Sequence, residues 1–375
     1  MNAITISVKS FKPRITLMNK TLFNHDLVCC DVKDTSGNHL YSGRALGLTE
    51  PGDLIQLHPD LEKEMVFIAR HYDNIGLKFS RSVIWNTSYE LLSEYPQYRP
   101  SFYYYGEDVY DTYVNHDFHN IVDFISSKNN FIRVAQELDL PTPQTFCYTS
   151  KRLIMDTAVF PYPCYLKSSL PTSNVRTYRC KNETELFYAL NAFDDDVPLQ
   201  IQKEVSAINF INMQYKVGEK GVERFTTTDK LPGIATHKGI QYSSKYPCWH
   251  VTDPFADYLF RNGMQGNFAF TVAVVNTENG IEYLLINCNP SFSGASYHAG
   301  IANKLGVESW TAEAFTTNIR SLANLNLSDI EFNAKTGSGV VLVNWGPILV
   351  GKLCVLFAGS PEQQSELREK FIKRL

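Results

Sequence analysis

The stretch "IEYLLINCNPSFSGASYH", residues 281–298, ends an apolar run in N-x-N-P and continues into small residues. Asn287 and Asn289 are two apart, so on a strand they project to the same side. Carbonyl oxygens gathered on one side of a strand end can hold a hard cation. No carboxylate lies between Tyr283 and His298, so a strand that simply ends in a turn fits the same pattern. Two lysines carry a second kind of chemistry. Lys128 sits in the polar "SSKNN", and Lys167 closes the apolar run "CYLK" ahead of a Ser-rich turn. A cation at a strand end beside a flexible loop suits a nucleotide phosphate; taken singly, each lysine also suits a solvated surface. "LQIQKEV" can offer strand backbone N–H and C=O groups, with the Gln202 amide, to the edge of an adenine ring. By itself it is a half-buried strand.

The elements around these residues read as follows. Residues 1–120 mix strand-like runs ("DLVCCDV", "MVFIARHY", "SVIWNTS") with loops, and the aromatic and acidic segment 96–120 reads as a long connection. Residues 118–140 show helical spacing, with Ile132, Ala135, Leu138 and Leu140 on roughly one face, and "PTPQTF" ends that pattern. Strands are predicted over 162–169, 175–180 and 197–206. A helix is predicted over 181–193, with Asn182 as N-cap and Glu185 three residues on. Hairpins are predicted over 210–228 and 267–290, the second turning at "NTENG". The spacing of "ESWTAEAFTTNIRSLANL", 308–325, predicts a helix. Strands "GVVLVNW" and "KLCVLFAG" and a last helix, 360–375, follow. Strands interleaved with helices and antiparallel hairpins argue for an α+β fold.

Composition narrows the function classes. The chain has 375 residues, 44% hydrophobic and 20% charged, which is ample for a large core and unlike a disordered chain. A net charge of -4 gives no basic footprint for nucleic acid. No apolar run reaches membrane-spanning length, and the opening "MNAITISVKSFKPR" has no apolar core of signal-peptide type. None of the eight cysteines forms C-x-x-C or a zinc spacing. Reduced thiols and a cytoplasmic location are expected.

Taken in order, "SSKNNFIRVAQELDLPTPQTF", "YPCYLKSS", "VPLQIQKEV" and "EYLLINCNPSFSGASY" resemble the ATP-grasp superfamily of carboxylate ligases. The match covers roughly residues 120–300. "GDLIQLHPDLEKEM", "SVIWNTS" and "SKNNF" look more narrowly like the ATP-grasp enzymes of natural-product biosynthesis. The resemblance implies a two-lobed α+β body behind an N-terminal α/β module. Its divisions would be 1–120, 121–200 (small lobe), 201–330 (large lobe) and 331–375 (C-terminal strands and helix). It implies ATP, with Lys128 and Lys167 on the phosphates, Gln202 and Val205 along the adenine edge and Asn209 at the ribose. It also implies Mg²⁺ at Asn287 and Asn289. His237 and Lys238, in a segment resembling the substrate-side loop of these ligases, would meet an anionic substrate. The substrate side would be a small-molecule carboxylate, an amino acid, or a carrier protein or peptide; a homodimer is left open. The chemistry implied is carboxylate–amine or carboxylate–thiol ligation through an acyl phosphate, which runs on positioning and charge neutralisation.

The sequence departs from that pattern where the metal should sit. The family's "E-x-N-P-R" reads Asn287 to Ser291 here, the acid expected on the preceding strand aligns with Thr271, and the loop after Lys167, "SSLPTSNVRTYRC", has no glycine to cover phosphate. Arg176 or Arg179 could reach a phosphate instead, and Glu282 or Asp229 could supply a carboxylate. Three readings stay open: a ligase with unusual metal ligation, a degenerate ATP-grasp homologue acting as a binding or scaffold partner, and an α+β protein whose motif matches are chance.

Overall fold

The computed structural model describes residues 20–27, 37–103, 116–154, 159–170, 177–218, 220–230, 239–242 and 244–375. The first sheet consists of β1 (Thr21–Asn24), β2 (Leu54–Gln56), β3 (Val83–Ile84) and β4 (Arg99–Phe102), all parallel, in the order β3-β2-β1-β4. The strand-like run "MVFIARHY" is instead part of a helix, Met65–Asn74. Its continuous apolar letters hide a period of 3.6: Ile68, Ala69 and Tyr72 bury one face while Val66, Arg70 and Asp73 stay exposed. The expected loop over 96–120 is interrupted by β4 and gives way to a helix at His116.

The helical stretch around Lys128 is two helices, His116–Ser126 and Lys128–Glu137. Ser127 separates them and caps the second by accepting from Asn130 N–H. The second sheet is antiparallel, with β5 (Thr145–Tyr148), β6 (Cys164–Ser168), β7 (Thr177–Cys180) and β8 (Leu199–Lys203) in the order β5-β8-β6-β7. One face of β6 and β8 buries Cys164, Leu166, Leu199 and Ile201 against the helix Glu183–Leu190. Asn182 caps that helix as its sequence position implies.

The third sheet has eight antiparallel strands: β9 (Ala207–Gly218), β10 (Gly221–Lys230), β11 (Gly239–Tyr242), β12 (Gly266–Thr277), β13 (Gly280–Asn289), β14 (Trp310–Thr316), β15 (Gly339–Asn344) and β16 (Lys352–Ala358). Their order is β13-β12-β9-β10-β11-β14-β16-β15. β14 replaces the helix expected over 308–325. "WTAEAFT" alternates, with Trp310 and Ala312 inward, and pairing on both sides with β11 and β16 outweighs the helix-favouring alanines. The helices 116–126, 128–137 and 249–261 cover one half of this sheet. The other half shares one core with the first sheet: Ile55, Ile68 and Tyr72 pack in the same cluster as Val341, Trp345 and Phe357. Among the described residues no helix is long and apolar enough to cross a membrane.

Candidate functional site: a cation-lined cleft

Alternation along β6 and β8 puts Tyr165, Lys167, Gln200 and Gln202 on one face, since Tyr165 pairs with Gln202 and Lys167 with Gln200. Lys167 Nζ donates to Gln202 Oε1 at 2.7 Å, and Gln202 Nε2 donates to Thr145 Oγ1 at 3.1 Å, which fixes the orientation of the amide. Lys128 comes from a different element and is brought alongside by the serines. Its N–H donates to Ser169 O at 3.0 Å, Ser127 and Ser169 hydroxyls meet at 2.9 Å, and Asn129 N–H donates to Ser169 Oγ at 3.0 Å. Among the described residues, Lys128 Nζ reaches only Leu170 O, at 3.2 Å. Neither lysine has an ion-pair partner among the described residues. Burial, and next the charge of Lys128, pushes Lys167 down to about 8; burial also lowers Lys128.

Both lysines line a cavity of about 1420 Å³ between the second and third sheets, and Gln202, Val205, Asn287 and Asn289 line it too. The Val205 N–H has no hydrogen-bond partner among the described residues, so one donor at the end of β8 is available to a ligand. Asn209 does not line the cavity; its Oδ1 accepts from Phe210 N–H at 2.8 Å. Arg179 is held by Glu204 in a two-bond ion pair at 2.7 Å and is also outside the lining. His237, Lys238 and Arg176 lie outside the described residues.

Asn287 reaches the cavity because of a bulge. Val272 pairs with Leu285 and Thr271 with Asn287, so Ile286 is extra. In a regular strand Leu285 and Asn287 would share a face; the bulge sends Leu285 to the core and Asn287 to the cleft. Thr271 pairs in turn with Asn212, and Asn212 with Thr228. The result is a row of four neutral polar residues, Asn287, Thr271, Asn212 and Thr228, across four strands, all lining the cavity.

That donor set does not fit a carboxylate-held Mg²⁺. Asp229 is the one carboxylate among the described lining residues, and its Oδ1 is buried without a partner. It lies three strands from Asn287, about 14 Å at about 4.8 Å per step, whereas two oxygens on one Mg²⁺ lie within about 4.2 Å. Glu282 is exposed and outside the lining. Neither acid therefore replaces the missing one beside Asn287, and no chemical step here is assigned to a metal.

Another part of the cavity wall was not legible as a site in the sequence. Arg44 lines it from a 3₁₀ segment, Asn38–Leu48, as a single cation among small and apolar letters, "LYSGRALGL". His298 and Cys354 face it as a neutral pair: His298 Nδ1–H donates to Gly294 O at 3.0 Å and Nε2 accepts from the Cys354 thiol at 3.1 Å. Burial lowers His298 to about 4 and raises Cys354 to about 12. Among the described lining residues, Arg44, Lys128, Lys167, Lys203 and Lys230 face a single acid, Asp229. A chain that is acidic overall thus concentrates positive charge in its cleft, the field an anionic ligand needs.

No protein-family model matches the sequence, and no curated protein sequence matches it. Solved structures do match. N5-carboxyaminoimidazole synthetase from Staphylococcus aureus, complexed with ADP, aligns at a TM-score of 0.56 with 8% identity, over 87% of this chain and 98% of the other. The Aspergillus clavatus enzyme, solved with ADP and 5-aminoimidazole ribonucleotide, gives 0.55 with 9% identity over 88% and 99%. The Thermotoga maritima enzyme gives 0.53 with 12% identity over 94% and 96%. The fold is ATP-grasp. At these identities the likeness carries the fold and not the activity. The cavity lies between the antiparallel four-stranded sheet and the large antiparallel sheet of that fold.

Proposed function

We propose that this chain is an ATP-dependent ligase of secondary metabolism that joins a carboxylate to an amine or thiol through an acyl phosphate. The carboxylate would belong to a small molecule, an amino acid, or a carrier protein or peptide. The observation that carries the reading is the lysine pair: two half-buried cations from separate elements, side by side in one cleft, with no carboxylate among the described residues to neutralise them. Such a pair is unfavourable in the free protein and becomes favourable when phosphate oxygens enter. The adenine would lie against the Val205 N–H and Gln202, with the phosphates running past Lys167 and Lys128. A substrate carboxylate oxygen then attacks the γ-phosphorus and ADP leaves. The amine or thiol displaces phosphate from the acyl carbon and gives up one proton. The secondary-metabolism setting rests on the resemblance of "GDLIQLHPDLEKEM" and "SVIWNTS" to that branch of the superfamily.

The neutral row from Asn287 to Thr228 favours a second reading, in which the cleft binds nucleotide without transferring phosphate and the chain serves as the binding partner of another ligase. Titration with ATP, followed by an assay for ADP formed with candidate carboxylates, separates the two. Binding with ADP release supports the ligase; binding without release under any substrate supports the second reading; no binding removes both.

A further inference from the structure

Arg44 is only 6% exposed, yet its guanidinium has almost no partner among the described residues. Of five N–H donors, one reaches His25 O at 3.4 Å, and Nε is buried with no partner. No carboxylate pairs with it among the described residues. His25 supplies no charge of either sign: burial and then Arg44 itself hold it well below the usual histidine range, so it stays neutral, and its ring nitrogens meet Tyr297 Oη and Ser101 Oγ. What surrounds the cation is aromatic. The rings of Tyr103, Tyr297 and Tyr41 have centroids 3.9, 4.6 and 5.7 Å from its central carbon. Ring faces hold a cation in place without occupying its N–H groups. Arg44, Tyr41, Tyr103 and Tyr297 all line the cleft that also holds the lysine pair. Tyr297 belongs to the helix Gly294–Leu305, which starts five residues beyond Asn289.

We propose that Arg44 is the receptor for an oxyanion, a carboxylate or phosphate group, on the molecule that reacts in the cleft. A guanidinium held by rings, with one long hydrogen bond among the described residues, is pre-set for two-point binding of such a group. The substrate class is then a small molecule with a second anionic group remote from its reacting atom. Its anchoring by Arg44 and the Tyr41, Tyr103 and Tyr297 rings sets the reach to the neutral row, whose Thr271 and Asn287 lie on β12 and β13. The substrate role rests on the nucleotide reading above; the anion site itself does not.

The test uses the whole chain with inorganic phosphate and succinate as probes, at constant ionic strength held with chloride, followed by calorimetric titration and thermal unfolding. Wild type should bind one or both probes. Arg44→Met should lose at least about tenfold in affinity while its probe-free unfolding temperature stays equal or rises, since an unpartnered buried charge has been removed. Arg44→Lys, which keeps the charge but not the fork, should fold normally and bind weakly. Response to phosphate alone or succinate alone identifies the group. Probe binding that survives Arg44→Met and disappears in Lys128→Ala or Lys167→Ala overturns the proposal. So does a wild type with no probe response whose Arg44 variants both unfold several degrees lower, because the guanidinium is then structural. A wild type that binds probe through Arg44 but no ATP refutes the nucleotide reading alone; the reverse refutes this inference alone.

Discussion

At the scale of single residues, Lys167 links burial to ligand binding most directly. Its folded value, about 8, lies below that of a free lysine. The charged form is therefore disfavoured by folding, and the unfolded chain holds more protons between about 8 and the free value. Stability from this residue accordingly rises with pH across that window and is lowest below it. Nucleotide phosphates favour the opposite, protonated form. ATP affinity should therefore fall as pH rises through about 8, and a titration series across that range on wild type and Lys167→Gln checks it: the variant should lose the dependence. Lys167→Ala and Lys128→Ala should each weaken ATP binding by about tenfold or more, the loss of a charge-assisted hydrogen bond of roughly 1.5–3 kcal/mol. Unchanged affinity in both, with circular dichroism unaltered, would remove the phosphate assignment. Both lysines stood out in the sequence because each marks a break in a recognisable pattern, one in the polar "SSKNN" within the helical stretch 118–140 and one at the end of an apolar run. Arg44 could not, since its significance lies in rings from residues 41, 103 and 297, which no local pattern connects.

At the scale of elements, β13 decides what enters the cleft. The bulge at Ile286 aims Asn287 at the cavity, opposite Thr271. An amide oxygen carries a partial charge where a carboxylate carries a full one, so Asn287→Glu should increase Mg²⁺-dependent nucleotide affinity. Adding Thr271→Asp should increase it further, by about tenfold or more overall. Nucleotide titrations at graded Mg²⁺ concentrations measure this; weaker binding in both variants would show that the neutral row is itself the working site. The partnership of Asn287 with Thr271 came from the family resemblance and not from hairpin register: counted from the turn "NTENG", a regular ladder pairs Thr271 with Ile286, and the bulge moves the pairing on by one residue. β14 was not legible in the sequence either. "SWTAEAFTTN" satisfies a helical and an alternating pattern about equally, and the partners that decide, β11 and β16, lie about 70 and 40 residues away in the chain. Its anchor is Trp310, 1% exposed and stacked between Tyr242 and His298. Trp310→Ala should cost about 3–5 kcal/mol, read as a lower denaturant midpoint, and should disturb His298 at the cavity wall.

At the scale of the whole molecule, the chain closes on itself. His71 Nδ1 meets Glu331 Oε1 at 2.7 Å and its Nε2 accepts from Leu342 N–H at 3.0 Å, while Leu322 N–H donates to Glu64 Oε2 at 2.6 Å. The segment from Glu64 through the helix Met65–Asn74 and the chain from Leu322 onward thus share polar contacts as well as one apolar core. Deleting residues 331–375 should therefore unfold the first sheet too. Limited proteolysis of the truncated chain should cut within residues 37–103 at rates far above wild type; protection there would show that the N-terminal sheet stands alone.

That shared core also sets an order of events during synthesis. The partners of Glu64, His71 and Tyr72 lie 258 to 271 residues further along the chain. At about 5–20 residues per second, the helix Met65–Asn74 leaves the ribosome about 15–50 s before its partners exist. For that interval its apolar face, Ile68, Ala69 and Tyr72, lacks the part of its native cover that Val341, Trp345 and Phe357 supply. Long-range contacts of this kind slow folding, and the newborn chain is at its most aggregation-prone while its N-terminal third waits for its last.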